Sequence, residues 1–381
     1  MRIRISSAIL AACAALPGPA GADRAVSAND GKQVLMDGQQ VVPSPRAPDS
    51  VSIIEFGGDR VRVVATVAVP TSVIGPPGSI AVTPDGAYAV VSSARRVTPD
   101  GAAIEADDVL SVVDLRHGVQ ASSLHLGAGA GPAGVAIDVT GTRVLVANRA
   151  SGSVMLLALD RGVLTPVSTL RFEVGASPAQ PMFVAGGHRA LVTRDGDHRI
   201  SIISIAGDRL RLEEPVLRAG LRPYALDVAR TRPLAVVGAI GGAGRDIDTI
   251  SLIDLSGTEP RVVDTVAAGL TPEGVSLSPD GRYVAVTVNN GSNAAPGSAQ
   301  YRPNGLLQVW RTDGARLFKV AQAPMGGWGQ GMIWSQDGRQ LLAQAARDRT
   351  VESFAFDGRS LRKGAVLRLS ATPAAIAGAA R

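Results

Sequence analysis

Three polar residues occupy the same position in three successive copies of a phrase that this chain repeats. The residue after the turn that opens each copy is Tyr224 in the fourth, Glu273 in the fifth and Gln330 in the sixth. A carboxylate can accept a proton as a general base, and a phenol or an amide can hydrogen-bond a hydroxyl-bearing or cationic ligand. In the other four copies this residue is small and apolar. The sequence therefore predicts one polar sector, where a pocket is lined by these three side chains.

Further polar and aromatic residues lie in the segments that border this sector. We expect them at the rim of the pocket: Arg222, Arg245, Asp246, Asn289, Asn290, Tyr301, Arg302 and Trp328. Arg222 or Arg302 could stabilise the oxyanion that develops when an ester is attacked. The competing interpretation is structural, with Glu273 capping backbone N–H groups of a neighbouring repeat.

The repeated phrase positions these residues. It is a Gly/Pro turn, then an alternating apolar stretch, often closed by Asp-Gly. Its anchor residues are Pro77, Pro132, Pro178, Pro223, Pro272, Gly329 and Pro373, with gaps of 55, 46, 45, 49, 57 and 44 residues. A period in this range with strand-type alternation is typical of a β-propeller with one four-stranded blade per repeat. The sequence predicts an all-β, seven-bladed propeller that forms one domain over residues 50–381.

The two ends of the chain do not hold whole repeats. The copy at Pro373 has room for one inner strand, and Val51 to Phe56 and Val61 to Val69 read as two outer strands. Together they predict a seventh blade closed by N- and C-terminal strands, which would leave the ring without an open edge. Residues 23–49 are rich in Gly, Pro, Asp and Gln and predict a flexible lead-in, with one weak strand at Gln33 to Met36.

Long connections concentrate on one face of the predicted ring. The loops between the second and third strands of a blade share a face with the crossovers between blades. That face receives the inserts Ala94 to Asp108, Ala239 to Asp248 and Asn289 to Gly305, and the crossover Pro70 to Gly78. Long loops on a rigid scaffold commonly carry function.

Composition excludes several classes of chemistry. Cys13 is the only cysteine, and none of the four histidines has a second at metal-binding spacing, so we expect no metal and no cofactor. The net charge of +5 is carried by arginines scattered among acidic residues, which predicts no nucleic-acid partner. No run reaches about 18 apolar residues, so no transmembrane segment is predicted. We expect a monomer.

Several copies of the phrase resemble a known repeat. The sequences TPEGVSLSPDG (271–281) and GPAGVAIDVTG (131–141) resemble the bacterial YVTN-type β-propeller repeat, and GVLTPVSTLRFEVGASP (162–178) resembles the lactonase-like seven-bladed proteins of the larger group. The resemblance implies the propeller fold and a family that includes hydrolases and surface proteins. Lactonases of this fold tend to carry a Gly-Pro-Arg-His run at the central mouth, where this chain has Gly131-Pro132-Ala133-Gly134 and Leu221-Arg222-Pro223-Tyr224.

That departure favours binding over catalysis. We expect a non-enzymatic propeller that binds a small molecule or an envelope protein through its loop-rich face. One alternative is a lactonase-like hydrolase of a lactone or ester, with Glu273 as general base. Another is an interaction subunit of a periplasmic complex.

The N-terminus predicts export. Arg2 and Arg4 precede an apolar stretch, and Ala20-Gly21-Ala22 is a small-residue cleavage site, so residues 1–22 read as a signal peptide and the protein as periplasmic or secreted. Leu10 to Cys13 also fits a lipid-attachment pattern. The alternative is therefore a lipoprotein anchored at Cys13. Mass spectrometry of the mature N-terminus should give Asp23; a lipid-modified Cys13 would exclude the soluble form.

Overall fold

The structure is a computed structural model that describes residues 22–101, 103–242 and 246–379. Over these residues the regular elements are all strands, arranged as seven four-stranded antiparallel sheets and one two-stranded hairpin. None of these residues belongs to a helix of the length and apolarity needed to cross a bilayer.

The strands follow one another along the chain with short turns. The N-terminal part contains β1 (Asp23–Asp30), β2 (Val34–Met36), β3 (Gln39–Val41), β4 (Ser50–Gly57) and β5 (Arg60–Val67). Blade one is β6 (Ile80–Val82), β7 (Tyr88–Val97), β8 (Ile104–Asp114) and β9 (Val119–His125). Blade two is β10 (Pro132–Ile137), β11 (Arg143–Asn148), β12 (Ser153–Asp160) and β13 (Val163–Arg171). Blade three is β14 (Pro178–Phe183), β15 (Arg189–Arg194), β16 (Arg199–Ala206) and β17 (Arg209–Leu217).

The second half continues the same pattern. Blade four is β18 (Pro223–Val228), β19 (Leu234–Ala239), β20 (Asp248–Asp254) and β21 (Arg261–Gly269). Blade five is β22 (Pro272–Leu277), β23 (Tyr283–Val288), β24 (Gly305–Asp313) and β25 (Arg316–Met325). Blade six is β26 (Gly329–Trp334), β27 (Gln340–Ala345), β28 (Thr350–Phe356) and β29 (Leu361–Arg368), and β30 (Thr372–Gly378) follows.

The seven-bladed β-propeller predicted from the repeat is confirmed. In blades one to six the four strands pair in sequence order. In blades two to six the inner strand begins at the anchor residue itself. The core consists of apolar side chains packed between the sheets of neighbouring blades, as where Trp334 of blade six packs with Ala285 of blade five. Each blade therefore buries its two faces against its neighbours.

The seventh blade is built from both ends of the chain, with strand order β30-β1-β4-β5. Its inner strand β30 pairs with β1, from Ala25 opposite Gly378 to Asp30 opposite Thr372. The prediction of a flexible lead-in over 23–49 is therefore wrong for 23–30, which supply the second strand of this blade. The polar residues of β1 concealed the strand, because Asn29 is buried and donates to the Ser52 hydroxyl at 3.0 Å.

The remainder of the predicted lead-in lies on the mouth face of the ring, where the inner strands begin. The hairpin β2–β3 contains part of the weak strand expected at Gln33 to Met36. Leu35 packs on a cluster that contains Val73 and Trp328. At the hairpin turn, a Cβ on Gly38 would lie 2.5 Å from the backbone nitrogen of Ala295, so the turn rests directly on the blade-five insert. The hairpin and this insert together cover part of the mouth.

The two-ended seventh blade predicts that the thermal stability of the ring depends on β30. A chain that ends at Ser370 lacks the inner strand of the seventh blade and leaves the buried edge of β1 unpaired. We expect it to melt at a lower temperature than the full chain, or to aggregate, because an open ring exposes a strand edge and core surface. A chain that ends at Gly378 keeps β30 and is the matched control. Equal cooperative melts of the two truncations, measured by circular dichroism, would contradict the two-ended blade.

Candidate functional site

The mouth of the propeller has a repeated backbone geometry. In five blades the residue before the anchor has a positive φ of 48° to 58°: Gly131, Ser177, Arg222, Thr271 and Trp328. In each case its carbonyl accepts a hydrogen bond from the first residue beyond the second strand, for example Asn289 N–H to Thr271 at 2.9 Å. The left-handed conformation is unfavourable for non-glycine residues and persists where the surrounding structure fixes it. Side chains at these positions are therefore held on a rigid rim.

Glu273 is the buried carboxyl of this rim. It follows Pro272 at the start of β22 and is 9% exposed. Its Oε2 accepts a hydrogen bond from Asn289 Nδ2 at 3.0 Å. Burial raises the pKa of Glu273 to about 7, although the Asn289 hydrogen bond and the charge of Arg222 act in the opposite direction. A carboxyl with this pKa can accept and return a proton near neutral pH.

Tyr224 lies close enough to Glu273 for their charges to interact. Burial and the Glu273 carboxyl raise the pKa of the Tyr224 phenol, which therefore stays protonated and can donate a hydrogen bond. The Arg149 guanidinium lies over the Tyr224 ring, 5.8 Å from its centroid. The sector thus combines a proton acceptor, a phenol donor and an arginine.

Asp195 holds two arginines beside this pair. Its carboxylate lies 2.7 Å from Arg149 and 3.2 Å from Arg222, and its side chain is only 3% exposed. The two arginines are partly exposed, at 24% and 39% of their side chains, so a ligand can reach them from solvent. With Asp195 ionised, the three side chains carry a net positive charge, which favours an anionic ligand or a developing negative charge.

Gln330 lies deepest of the three residues singled out in the sequence. It is 1% exposed, and neither its side-chain oxygen nor its nitrogen has a hydrogen-bond partner among the described residues. The buried Oδ1 of Asn289 also lacks one there. Buried amides without partners are uncommon because desolvation is unfavourable, and they frequently mark the position of a bound polar group. Both amides can accept and donate, as recognition of hydroxyl groups requires.

Neighbouring blades fix the backbones of these residues. Thr193 of blade three donates its hydroxyl hydrogen bond to the Tyr224 carbonyl at 2.6 Å, and Thr287 of blade five donates one to the Gln330 carbonyl at 2.6 Å. A Cβ on Gly274 would lie 2.7 Å from the same Gln330 oxygen, so only glycine permits this approach of the two inner strands. The polar sector is therefore held by contacts between blades as well as within them.

The structure does not bring every predicted rim residue to Glu273. The exposed Arg302 donates to the carbonyls of Ala299 and Tyr301 at 3.2 and 2.7 Å, within its own insert. Asn290 donates to the Asn304 carbonyl and closes the same insert. Trp328, expected at an open rim, is buried against Val73, Ala346 and Ala374 because the N-terminal hairpin covers it. Arg245 lies outside the described residues.

The competing structural interpretation of Glu273 also differs from the observed contact. The carboxylate bonds the side chain of Asn289, in its own blade, and no bond from a backbone N–H of a neighbouring blade is found among the described residues. The inter-blade cap at this point is made by Asp248, whose Oδ2 accepts the Thr271 N–H at 2.8 Å. Among the described residues, Glu273 therefore does not make the inter-blade cap that the structural interpretation expected.

Arg149 and Asp195 were missed by reasoning from the sequence. Both follow the second strand of their blades, at the position that Asn289 occupies in blade five. A comparison of that position across the repeats could have found them, because it reads Arg149, Asp195, Ile240, Asn289 and Ala346 in successive blades. No group of three or more potential His, Cys, Asp or Glu metal ligands occurs in the part of the chain that the structure describes.

Several solved structures have an architecture similar to that of this chain. A presumed 6-phosphogluconolactonase from Bacteroides fragilis matches with a TM-score of 0.71 and 15% identity, over 95% of this chain and 99% of that one. The periplasmic gluconolactonase of Pseudomonas aeruginosa matches with a TM-score of 0.68 and 16% identity, over 93% and 98%. The chain therefore shares its seven-bladed β-propeller fold with these solved structures.

The same fold also carries other activities. Hydrazine synthase from Kuenenia stuttgartiensis matches with a TM-score of 0.64 and 17% identity, over 82% of this chain and 92% of that one. No family model and no curated protein matches the sequence. Because identities of this size show the fold alone, function must be argued from the site.

The raised pKa of Glu273 predicts a specific dependence of stability on pH. Its usual pKa is 4.5 and its folded value is about 7, so the folded state binds the proton more tightly. Protonated Glu273 stabilises the folded state below about pH 4.5, and this stabilisation is lost as the pH rises to 7. Glu273→Gln has no carboxyl to titrate, so it does not lose this stabilisation. Between pH 5 and pH 8 the free energy of unfolding of wild type should therefore fall by roughly 2–3 kcal/mol relative to that of the variant.

Urea unfolding at several pH values measures this difference. Glu259→Gln, which changes an exposed carboxyl in a loop, is the control and should follow the wild-type profile. Parallel profiles for wild type and Glu273→Gln would show that Glu273 has an ordinary pKa.

Proposed function

We propose that the protein hydrolyses a lactone or a related ester at the polar sector of its mouth, with Glu273 as the general base. One observation carries the proposal: a buried carboxyl with a pKa of about 7 lies close enough to a protonated phenol and to the Arg222 guanidinium for their charges to interact. A general base is most effective when its pKa is near the working pH. The preference for a non-enzymatic protein, drawn from the sequence, is replaced here by the hydrolase that was its alternative.

The proposed reaction uses residues of this chain alone. Glu273 accepts a proton from water as the water oxygen bonds the carbonyl carbon of the substrate. Negative charge develops on the carbonyl oxygen, where the Tyr224 phenol and the Arg222 guanidinium stabilise it. The carbon–oxygen bond of the ester then breaks, and Glu273 returns its proton to the leaving alkoxide. The product is a hydroxy acid from a lactone, or an acid and an alcohol from an open ester.

Arg222 is better suited to this role than Arg302. Its charge acts on Glu273, and Asp195 holds its guanidinium in position. Arg302 bonds carbonyls of its own insert instead. Asn289 acts as a positioning residue, since its amide holds one oxygen of the Glu273 carboxyl and leaves the other for water.

The names of two solved relatives support the proposed reaction class and location. The proteins from Bacteroides fragilis and Pseudomonas aeruginosa are described as a presumed 6-phosphogluconolactonase and a gluconolactonase, and the second is described as periplasmic. A periplasmic location for this chain accords with the signal sequence expected over residues 1–22. The partly exposed Arg149 and Arg222 would receive an anionic substrate at the open side of the sector.

A panel of sugar lactones and aryl esters tests the proposal. Glu273→Gln should lower kcat by roughly 100-fold or more, because the general base is lost while the shape of the site is kept. Arg302→Gln removes an arginine from the same face and is the matched control, which should retain wild-type turnover. The value of kcat/KM for wild type should rise with pH and level off above about 7, as Glu273 ionises.

A binding function without turnover is the second candidate, and the unpartnered Gln330 amide favours it. In that case no substrate of the panel is turned over, but a hydroxyl-bearing ligand binds and Glu273→Gln weakens it by about 1–3 kcal/mol. Turnover that is unchanged in Glu273→Gln would exclude the proposed mechanism. Normal ligand affinity together with lowered stability in that variant would exclude both candidates at this sector.

A further inference from the structure

A cavity lies on the propeller axis, below the mouth. It has a volume of about 610 Å³ and is lined by the inner strands of the blades, with Pro84, Ala185 and Arg230 near the face opposite the mouth. Tyr224, Glu273 and Gln330 are not part of its wall. Cavities of a few hundred Å³ or more with mainly apolar walls are typical small-molecule sites. This axial pocket is thus separate from the site proposed above.

Gln180 forms the polar end of the axial pocket toward the mouth. Its side chain reaches from blade three to blades two and one, where its Nε2 donates to the Val135 carbonyl at 3.4 Å. A Cβ on Gly78 would lie only 1.6 Å from Gln180 Oε1, so the amide fills the space that a side chain of blade one would take. A ligand would therefore enter from the opposite face.

The walls of the axial pocket are mainly apolar. Inner strands from all seven blades contribute to them. The larger apolar side chains include Val82, Ile137, Met182, Phe183, Val228, Met332, Ile333 and Ile376. Such a surface favours a hydrocarbon chain or ring, because each methylene group transferred from water contributes about 0.8 kcal/mol.

Three charged residues lie in this wall, and only one offers a free carboxylate inside it. Asp138 is neutralised by Arg143 at 2.9 Å, and Arg230 is exposed. Asp227 has no ion-pair partner within 4 Å among residues 22–101, 103–242 and 246–379. Its two oxygens accept the N–H groups of Val228 at 2.9 Å and Leu277 at 2.7 Å, so the carboxylate is fixed between blades four and five.

A fixed carboxylate in a mainly apolar wall is energetically unfavourable unless a positive charge lies beside it. Burial raises the pKa of Asp227 to about 6, against the opposing effects of the Leu277 N–H and the charge of Arg230. Asp227 is therefore ionised at neutral pH, and each oxygen keeps a lone pair after accepting one backbone hydrogen bond. A cation beside it would form the charge-assisted hydrogen bond that these lone pairs permit.

We propose that the axial pocket binds a small apolar molecule that carries a protonated amine. The hydrocarbon part packs on the inner strands, and the ammonium group bonds the Asp227 carboxylate. Ser276, half-buried in the same wall, adds a hydroxyl that accepts a further hydrogen bond from the ammonium group. Neither the ligand nor the pocket takes part in the hydrolysis proposed for the mouth.

Calorimetric titration of the purified protein with three matched probes tests the proposal. Octylamine, octanol and octanoate share one hydrocarbon chain and differ in the charge of the polar group. At pH 7.5 octylamine should bind at least tenfold more tightly than octanol, with octanoate the weakest. Asp227→Asn should reduce the affinity for octylamine to that for octanol, because the charge is removed while one oxygen remains to accept a backbone N–H.

Two further variants keep the test decisive. Ser276→Phe fills the pocket while the Asp227 residue is retained, and it should abolish binding of both octylamine and octanol. Glu273→Gln changes only the mouth and should bind octylamine as wild type does, so failure of the proposed hydrolysis leaves this result intact. The proposal is overturned if octylamine does not bind, if it binds no better than octanol, or if Ser276→Phe leaves its affinity unchanged. If Asp227→Asn does not fold, the comparison of the three probes on the wild-type protein and the effect of Ser276→Phe test the proposal.

Discussion

The pairing of β30 with β1 is the contact on which the ring and its mouth both depend. Six inter-strand residue pairs join the two ends of the chain. Gln344 of blade six donates to the Ser27 hydroxyl and to the Ala375 carbonyl, at 2.8 and 2.9 Å, and so ties the closing strands to the preceding blade. Because β1 enters at this point, the segment after it must continue at the mouth. Closure of the fold and covering of the site thus have one structural cause.

The same segment makes the mouth asymmetric. Thr372 donates to the Gln33 carbonyl at 2.7 Å, and the hairpin that follows covers Trp328 and meets the blade-five insert. On the uncovered side, Arg149 and Arg222 remain partly exposed. Glu273 lies between these two regions, where it is shielded enough to hold its proton near neutral pH and still lies near arginines.

The axis of the propeller is divided into two chemically different compartments. The mouth combines arginines, a carboxyl and amides, whereas the cavity below Gln180 has mainly apolar walls and, among the described residues, the carboxylate of Asp227 without an ion-pair partner. The solved structures share the ring at 15–17% identity, so they show the fold and not what this chain binds. Chemistry at the two compartments follows from side chains that the common repeat does not specify.

The sequence by itself determined the fold class, the seven blades and the closure from both ends, and it predicted the polar sector. It could do so because strand periodicity and turn residues are local properties that recur in each copy. The sequence did not reveal β1, whose buried Asn29 and Asp30 read as a polar loop, nor the pairing of Asp195 with Arg149 and Arg222 from three different blades. Only the tertiary structure decided these points, together with the pKa of Glu273, because burial and inter-blade contacts depend on residues far apart in the chain.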